Sequence, residues 1–180
     1  MKRSVRKLGL GVLALAFLGA GVSWSAAAGE DAMVKVFVSW QGVGNTFQTG
    51  AKQATFVGAL MGPVYTETER GPVHTATMVC PVMVAIGLED AVQRGTGHCT
   101  FTQLDGAEIY ADISCTGISL VGCAGELKLI GGTKRFEGVS GGGHVTIRSD
   151  FRQITQSKPG VAKEEGTGSL FVQELRYKLP

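Results

Sequence analysis

Residues 95–115 read GTGHCTFTQLDGAEIYADISC. Two runs rich in threonine, isoleucine and aromatic residues, Gly95–Gln103 and Ala107–Cys115, flank Leu104-Asp105-Gly106. Asp-Gly between two such runs is a strong hairpin signal, because a type I′ turn needs positive φ at its central residues. A hairpin centred there sets Phe101 opposite Tyr110, an aromatic cross-strand pair. In the second run Ile109, Ala111 and Ile113 share one face and Glu108, Tyr110 and Asp112 the other, because strand residues alternate sides.

Working outward, the same pattern repeats. Met33–Trp40, Ala54–Leu60, Glu126–Ile130, Val139–Ser149 and Ser169–Leu179 read as strands, a short amphipathic helix being the alternative for the last. Val73–Leu88 is a long apolar stretch interrupted by Pro81, the mark of an edge, a bulge or a break. Val161–Gly168, after Lys158-Pro159-Gly160, reads as a solvated loop. About eight strands with turns at short intervals describe an all-β antiparallel meander, and about eight strands close into a small barrel. A β-sandwich is the competing architecture. Glycines inside strands (Gly58, Gly95, Gly97, Gly138, Gly142) favour the sharply bent strands of a barrel.

The N-terminus has the three parts of a secretory signal peptide. Met1–Lys7 is basic, Leu8–Val22 is apolar, and Ala26-Ala27-Ala28 fits the cleavage rule, so residues 1–28 form the leader and 29–180 a single barrel domain. The apolar run is shorter than the roughly 20 residues that span a bilayer. The whole chain carries a formal charge of +2. Removing four of its 17 basic residues and none of its 15 acidic ones leaves −2. A mildly acidic domain argues against nucleic acid as a partner. The 27 glycines have no fixed period, which excludes collagen, and 44% hydrophobic residues argue against disorder.

All four cysteines lie in the exported part, which is read as periplasmic or secreted. An even count in an oxidising compartment reads as two disulfides. Cys80 and Cys99 are symmetric about Glu89-Asp90, and Cys115 and Cys123 about Ser119, so the expected pairs are Cys80–Cys99 and Cys115–Cys123. An outer-membrane barrel fits export and strand number, but few aromatics and a Pro180 end oppose it. The domain is therefore not expected to sit in a membrane after leader removal.

Residues 130–142, IGGTKRFEGVSGG, resemble the Gly-Gly-Thr-Gly-Arg-Phe-x-Gly-x-x-Gly segment of allene oxide cyclase-like and dirigent-like barrel proteins and their exported bacterial relatives of uncharacterised role. Gly131, Gly132, Thr133, Arg135, Phe136, Gly138 and Gly141 match, and Lys134 stands where the pattern has glycine. Over Cys99–Arg148 the exported relatives also share the Asp-Gly hairpin and a C-x-G element. The resemblance implies a small eight-stranded antiparallel barrel. Its activities range from cyclisation to steering of phenolic radical coupling, and no catalytic residue of the family matches a position here.

The candidate chemistry is sparse. No nucleophile elbow, dinucleotide fingerprint or P-loop occurs. His74, His98 and His144 lack metal-ligand spacing, and Met33, Met61, Met78 and Met83 form no Met-x-Met cluster, so neither a metal nor a cofactor is expected. Glu108, Tyr110 and Asp112 are acid/base candidates only if their face lines a lumen; otherwise they are solvated. Gly131, Gly132, Arg135 and Phe136 are the candidate ligand contacts, at an open barrel end. Two classes of function remain: an exported non-catalytic barrel that binds a small apolar ligand or has a structural role, and a cofactor-free cyclase or isomerase. Two or more titratable groups aimed into a cavity would mark the second. Oligomeric state is not set by the sequence.

Overall fold

The computed structural model describes residues 31–180; the expected leader and the start near Gly29 lie outside the described residues. Eight strands run in chain order: β1 (Asp31–Gly50), β2 (Gln53–Thr68), β3 (Gly71–Gly87), β4 (Val92–Gln103), β5 (Glu108–Ile118), β6 (Gly122–Gly132), β7 (Ser140–Lys158) and β8 (Val161–Lys178). A single 3-10 turn, Lys134–Phe136, lies between β6 and β7. Every strand pairs antiparallel with its chain neighbour, and β8 pairs with β1, so the sheet closes into a barrel.

Closure sorts side chains by alternation. Val38, Val64, Met78, Leu127, Val145 and Val172 point inward and fill the half of the barrel near the β2–β3, β4–β5 and β6–β7 connections. The other half carries glycines inside, such as Gly42, Gly95, Gly97 and Gly166, and stays partly hollow. Gly168 shows why. A Cβ there would stand far inside van der Waals contact of the Trp40 ring and the Arg148 carbonyl oxygen, so glycine is what lets the indole pack against β8.

Several local expectations are corrected by the registers. Phe101 faces Ile109, and Tyr110 faces Thr100. The turn is one residue longer than a type I′ hairpin: Gln103 N donates to Ala107 O at 2.8 Å, leaving Leu104-Asp105-Gly106 as a three-residue loop in which Gly106 is left-handed (φ 72°). Three-residue loops need positive φ only at that last position. Val161–Gly168 is the first half of β8, paired on both sides, instead of a solvated loop. Ser169–Leu179 is strand and not helix through Lys178.

The cysteines meet in two ways. Flanking pairs Val79↔Thr100 and Val82↔Gly97 put Cys80 opposite Cys99, with Cα atoms 4.0 Å apart. The β3–β4 ladder is interrupted there, because Pro81 has no N–H to give. The sulfur bridge spans the gap that the proline leaves. Cys115 faces Gly125 while Cys123 faces Gly117, so the second pair is diagonal, with Cα atoms 5.5 Å apart. The turn centres on Leu120 (φ 68°) and not on Ser119, which shifts the register. Disulfides persist in oxidising compartments, and these pairs fit one.

Candidate functional site

The hollow half of the barrel holds a cavity of about 110 Å³. Its walls are mostly apolar: Trp40, Phe56, Leu60, Val84, Ile86 and Ile147 contribute side chains, and Gly95 and Gly97 leave space. Cys80, Cys115 and Cys123 add sulfur to the lining. The cavity belongs to the end that carries the β1–β2, β3–β4, β5–β6 and β7–β8 turns.

At this end three polar side chains meet inside the barrel. Glu164 is the one charged residue buried among the described residues, its side chain 7% exposed. One carboxylate oxygen accepts a bond from Thr46 Oγ1 and the other from Arg152 Nη2. The Arg152 side chain is 17% exposed, and burial lowers its pKa from the ordinary value. Arg152 and Glu164 both line the cavity. A buried carboxylate is tolerable only when paired and hydrogen-bonded, and this one is both.

The chain delivers each residue by strand parity. Glu164 shares its face of β8 with Gly166, Gly168, Leu170 and Val172. Arg152 reaches the interior through a break in parity. The β7–β8 register shifts between Ser149 and Phe151, leaving Asp150 unpaired. Such a bulge turns Phe151 outward, where it is exposed, and Arg152 inward. Gly166 sits opposite Arg152, where an added Cβ would come 3.2 Å from Arg152 Cγ. Trp40 lies in the same wall, and its indole N–H is buried without an acceptor among the described residues.

Sequence reasoning missed this cluster. The Glu164 parity with Leu170 and Val172 was a usable signal, obscured by reading residues 161–168 as a loop. Arg152 had no such signal, because regular alternation puts Phe151 inside.

The anticipated residues are placed elsewhere. Glu108, Tyr110 and Asp112 lie on the outer face of β5, while Ala111 and Ile113 face the core. The Tyr110 hydroxyl donates to Glu108 Oε2 at 2.6 Å, a bond that raises the Tyr110 pKa. His98 Nδ1 is 2.6 Å from Asp112 Oδ1, and His144 Nδ1 is 3.4 Å from Glu126 Oε1, both on the outer surface. His74 stacks beside Tyr65, with ring centroids 5.7 Å apart. The three histidines are thus scattered, and no group of three or more His, Cys, Asp or Glu suited to a metal occurs among the described residues.

Gly131, Gly132, Arg135 and Phe136 sit at the opposite end from the cavity. There Thr133 N donates to Glu108 O at 2.9 Å, Glu108 N donates to Thr133 Oγ1 at 3.0 Å, and Arg135 pairs with Asp105. The Arg135 guanidinium lies 4.6 Å from the centre of the Phe136 ring, and Phe136 packs on the core. This segment closes its end of the barrel and ties the β4–β5 turn to it.

No family model matches the chain, and no curated protein matches it in sequence. Among solved structures, the pterocarpan synthase dirigent protein GePTS1 aligns with a TM-score of 0.37 at 12% identity, over 94% of this chain and 99% of that one. The pterocarpan synthase dirigent protein PsPTS1 aligns with a TM-score of 0.36 at 14% identity, over 80% and 96%. Both neighbours are dirigent proteins. At these scores the likeness bears no functional argument, and the fold rests on the strand order itself. Among the described residues no helix is long and apolar enough to cross a membrane.

Proposed function

We propose that this is an exported, non-catalytic barrel that takes one small, largely apolar molecule into the cavity beneath the β7–β8 turn. The cavity itself carries this reading: about 110 Å³ walled by Trp40, Phe56, Val84 and Ile86. An enclosed apolar cavity of roughly 150 Å³ holds benzene; this one is smaller but open at the turn end, so a single small ring fills it with part of the ring in the mouth. Gly95 offers the test. An added Cβ there stands at ordinary contact distance, 3.4 Å from Val84 Cγ2 and 3.5 Å from Cys115 Sγ. Gly95→Leu extends further into the cavity and should abolish binding of a ring-sized hydrocarbon measured by calorimetry, while circular dichroism stays unchanged. Undiminished binding to that variant would remove the cavity as the site.

A cofactor-free cyclase or isomerase is the second reading, favoured by one observation. Two titratable groups, Glu164 and Arg152, converge on the cavity. Their charges are committed to each other and to Thr46, which suits holding a ligand better than moving a proton. Under the catalytic reading Glu164→Gln keeps ligand binding and loses turnover; under the binding reading no turnover exists to lose.

A further inference from the structure

The polar end of the cavity is unbalanced in its hydrogen bonding. Both Glu164 oxygens already accept a bond, from Thr46 and from Arg152. A guanidinium carries five N–H donors. Among the described residues Arg152 spends one side-chain donor, on Glu164. Arg152 thus keeps side-chain donors unspent beside the cavity. The Trp40 indole N–H, deeper in the cavity wall opposite Gly168, is also without an acceptor among the described residues.

Charge narrows the class. The Glu164 carboxylate and the Arg152 guanidinium cancel at contact, and Glu165, at the rim, is paired with Lys163 at 2.5 Å, so the polar end carries no unpaired charge. A ligand carboxylate would bring a second negative charge beside Glu164 in a low-dielectric space, and an ammonium would face Arg152; both are costly there. A neutral acceptor meets the free N–H groups without either cost. The remaining walls reward an apolar body.

We infer that the cavity selects a small uncharged carbonyl compound, its oxygen accepting from Arg152 and its hydrocarbon body lying among Trp40, Phe56, Val84 and Ile86. The inference rests on the cavity reading above and specifies its ligand. Burial of the Arg152 guanidinium strengthens it, because a hydrogen bond is worth more where water is excluded.

Three ring-sized probes separate the possibilities: cyclohexanone, its hydrocarbon isostere methylenecyclohexane, and cyclohexanecarboxylate. Calorimetry on the exported protein should give cyclohexanone an affinity at least tenfold above both others. The paired replacement Arg152→Met with Glu164→Leu removes the guanidinium donors without stranding a charge or adding an amide N–H. It should bring the ketone down to the hydrocarbon's affinity, within about twofold, and leave the hydrocarbon unchanged. A readout independent of folding changes is the infrared carbonyl stretch of labelled cyclohexanone, which should fall below its value in hydrocarbon solvent when bound. Equal binding of ketone and hydrocarbon, or tighter binding of the carboxylate, would overturn the carbonyl assignment and leave the cavity reading standing. Binding of none of the three would overturn both.

Discussion

Glu164 and Arg152 depend on each other more than any other pair of side chains in the barrel. Deleting one partner of a buried pair leaves an uncompensated charge, at a cost of about 3–5 kcal/mol. Glu164→Ala should therefore lower stability by about 3 kcal/mol in chemical denaturation, and Glu164→Gln by clearly less, because the amide oxygen still accepts from Arg152 while its NH2 can donate to the Thr46 hydroxyl. Equal losses would show that the charge contributes nothing. Lys134 is the opposite case, a residue under backbone strain at the surface (φ 54°). A left-handed conformation costs a non-glycine residue roughly 1–2 kcal/mol, and glycine is what the resembling barrels carry there. Lys134→Gly forfeits an exposed bond from Nζ to Asp105 O at 3.0 Å, so the net gain should be up to about 1 kcal/mol, seen as a higher Tm. Tyr110 supplies a pH signature. Its hydroxyl bond to Glu108 raises the pKa in the folded protein. The stabilisation is thus fully present below the ordinary tyrosine pKa of about 10 and is lost as pH rises through the higher folded value. Ultraviolet titration should show one tyrosinate forming late, and Glu108→Ala should bring it back toward the ordinary value.

The strands account for what was legible and what was not. Runs such as Met33–Trp40 and Ala107–Cys115 announce themselves, because half-buried strands alternate apolar and polar residues. The closed meander follows from their number and short turns. Registers were harder, since they depend on one residue in a turn. The sums of residue numbers gave the Cys80–Cys99 contact because the β3–β4 ladder keeps its register on both sides of Pro81. They misplaced Phe101 because Gly106 closes a three-residue loop. The site was the least legible part, since Arg152 enters through a bulge that no periodicity reveals. Restoring regular alternation tests that account. Deleting Asp150 makes Ser149, Phe151 and Arg152 consecutive opposite Gly168, Thr167 and Gly166, so Phe151 should stay outward, Arg152 inward, and ligand binding should be retained. Loss of binding together with several kcal/mol of stability would show that the distorted backbone at the bulge is itself needed to aim Arg152 at Glu164. Non-reducing peptide mapping of the wild type should find Cys80 linked to Cys99 and Cys115 to Cys123. Their separations of 19 and 8 residues correspond to about 3 and about 2.5 kcal/mol in the loop-entropy account. A peptide joining Cys99 to Cys115 would contradict both registers.

At the scale of the molecule the outer surface has two characters, and they bear on where the barrel lives. On β1–β3 the outward residues include Val43, Val57, Met61, Val79 and Met83, all exposed. Around β4–β7 the same latitude carries a belt of ionisable groups: His98 faces Asp112, Asp112 faces Lys128, and Glu126 faces His144 across successive ladders. A barrel that spans a bilayer turns an apolar band about 25 Å tall to lipid all the way round, and charged side chains at its midplane cost about 2–4 kcal/mol each for lysine and arginine. The belt on β4–β7 is incompatible with that band, while the apolar side alone is compatible with contact at one face. Removal of the leader expected in residues 1–28 is a separate prediction, which mass and partition check. Exported protein should have an intact mass that begins near Gly29 and should stay in the aqueous phase on detergent phase separation. Recovery in the detergent phase after leader removal would show that the apolar side of β1–β3 governs partition, and retention of residues 1–28 on membrane-bound protein would show that the leader does.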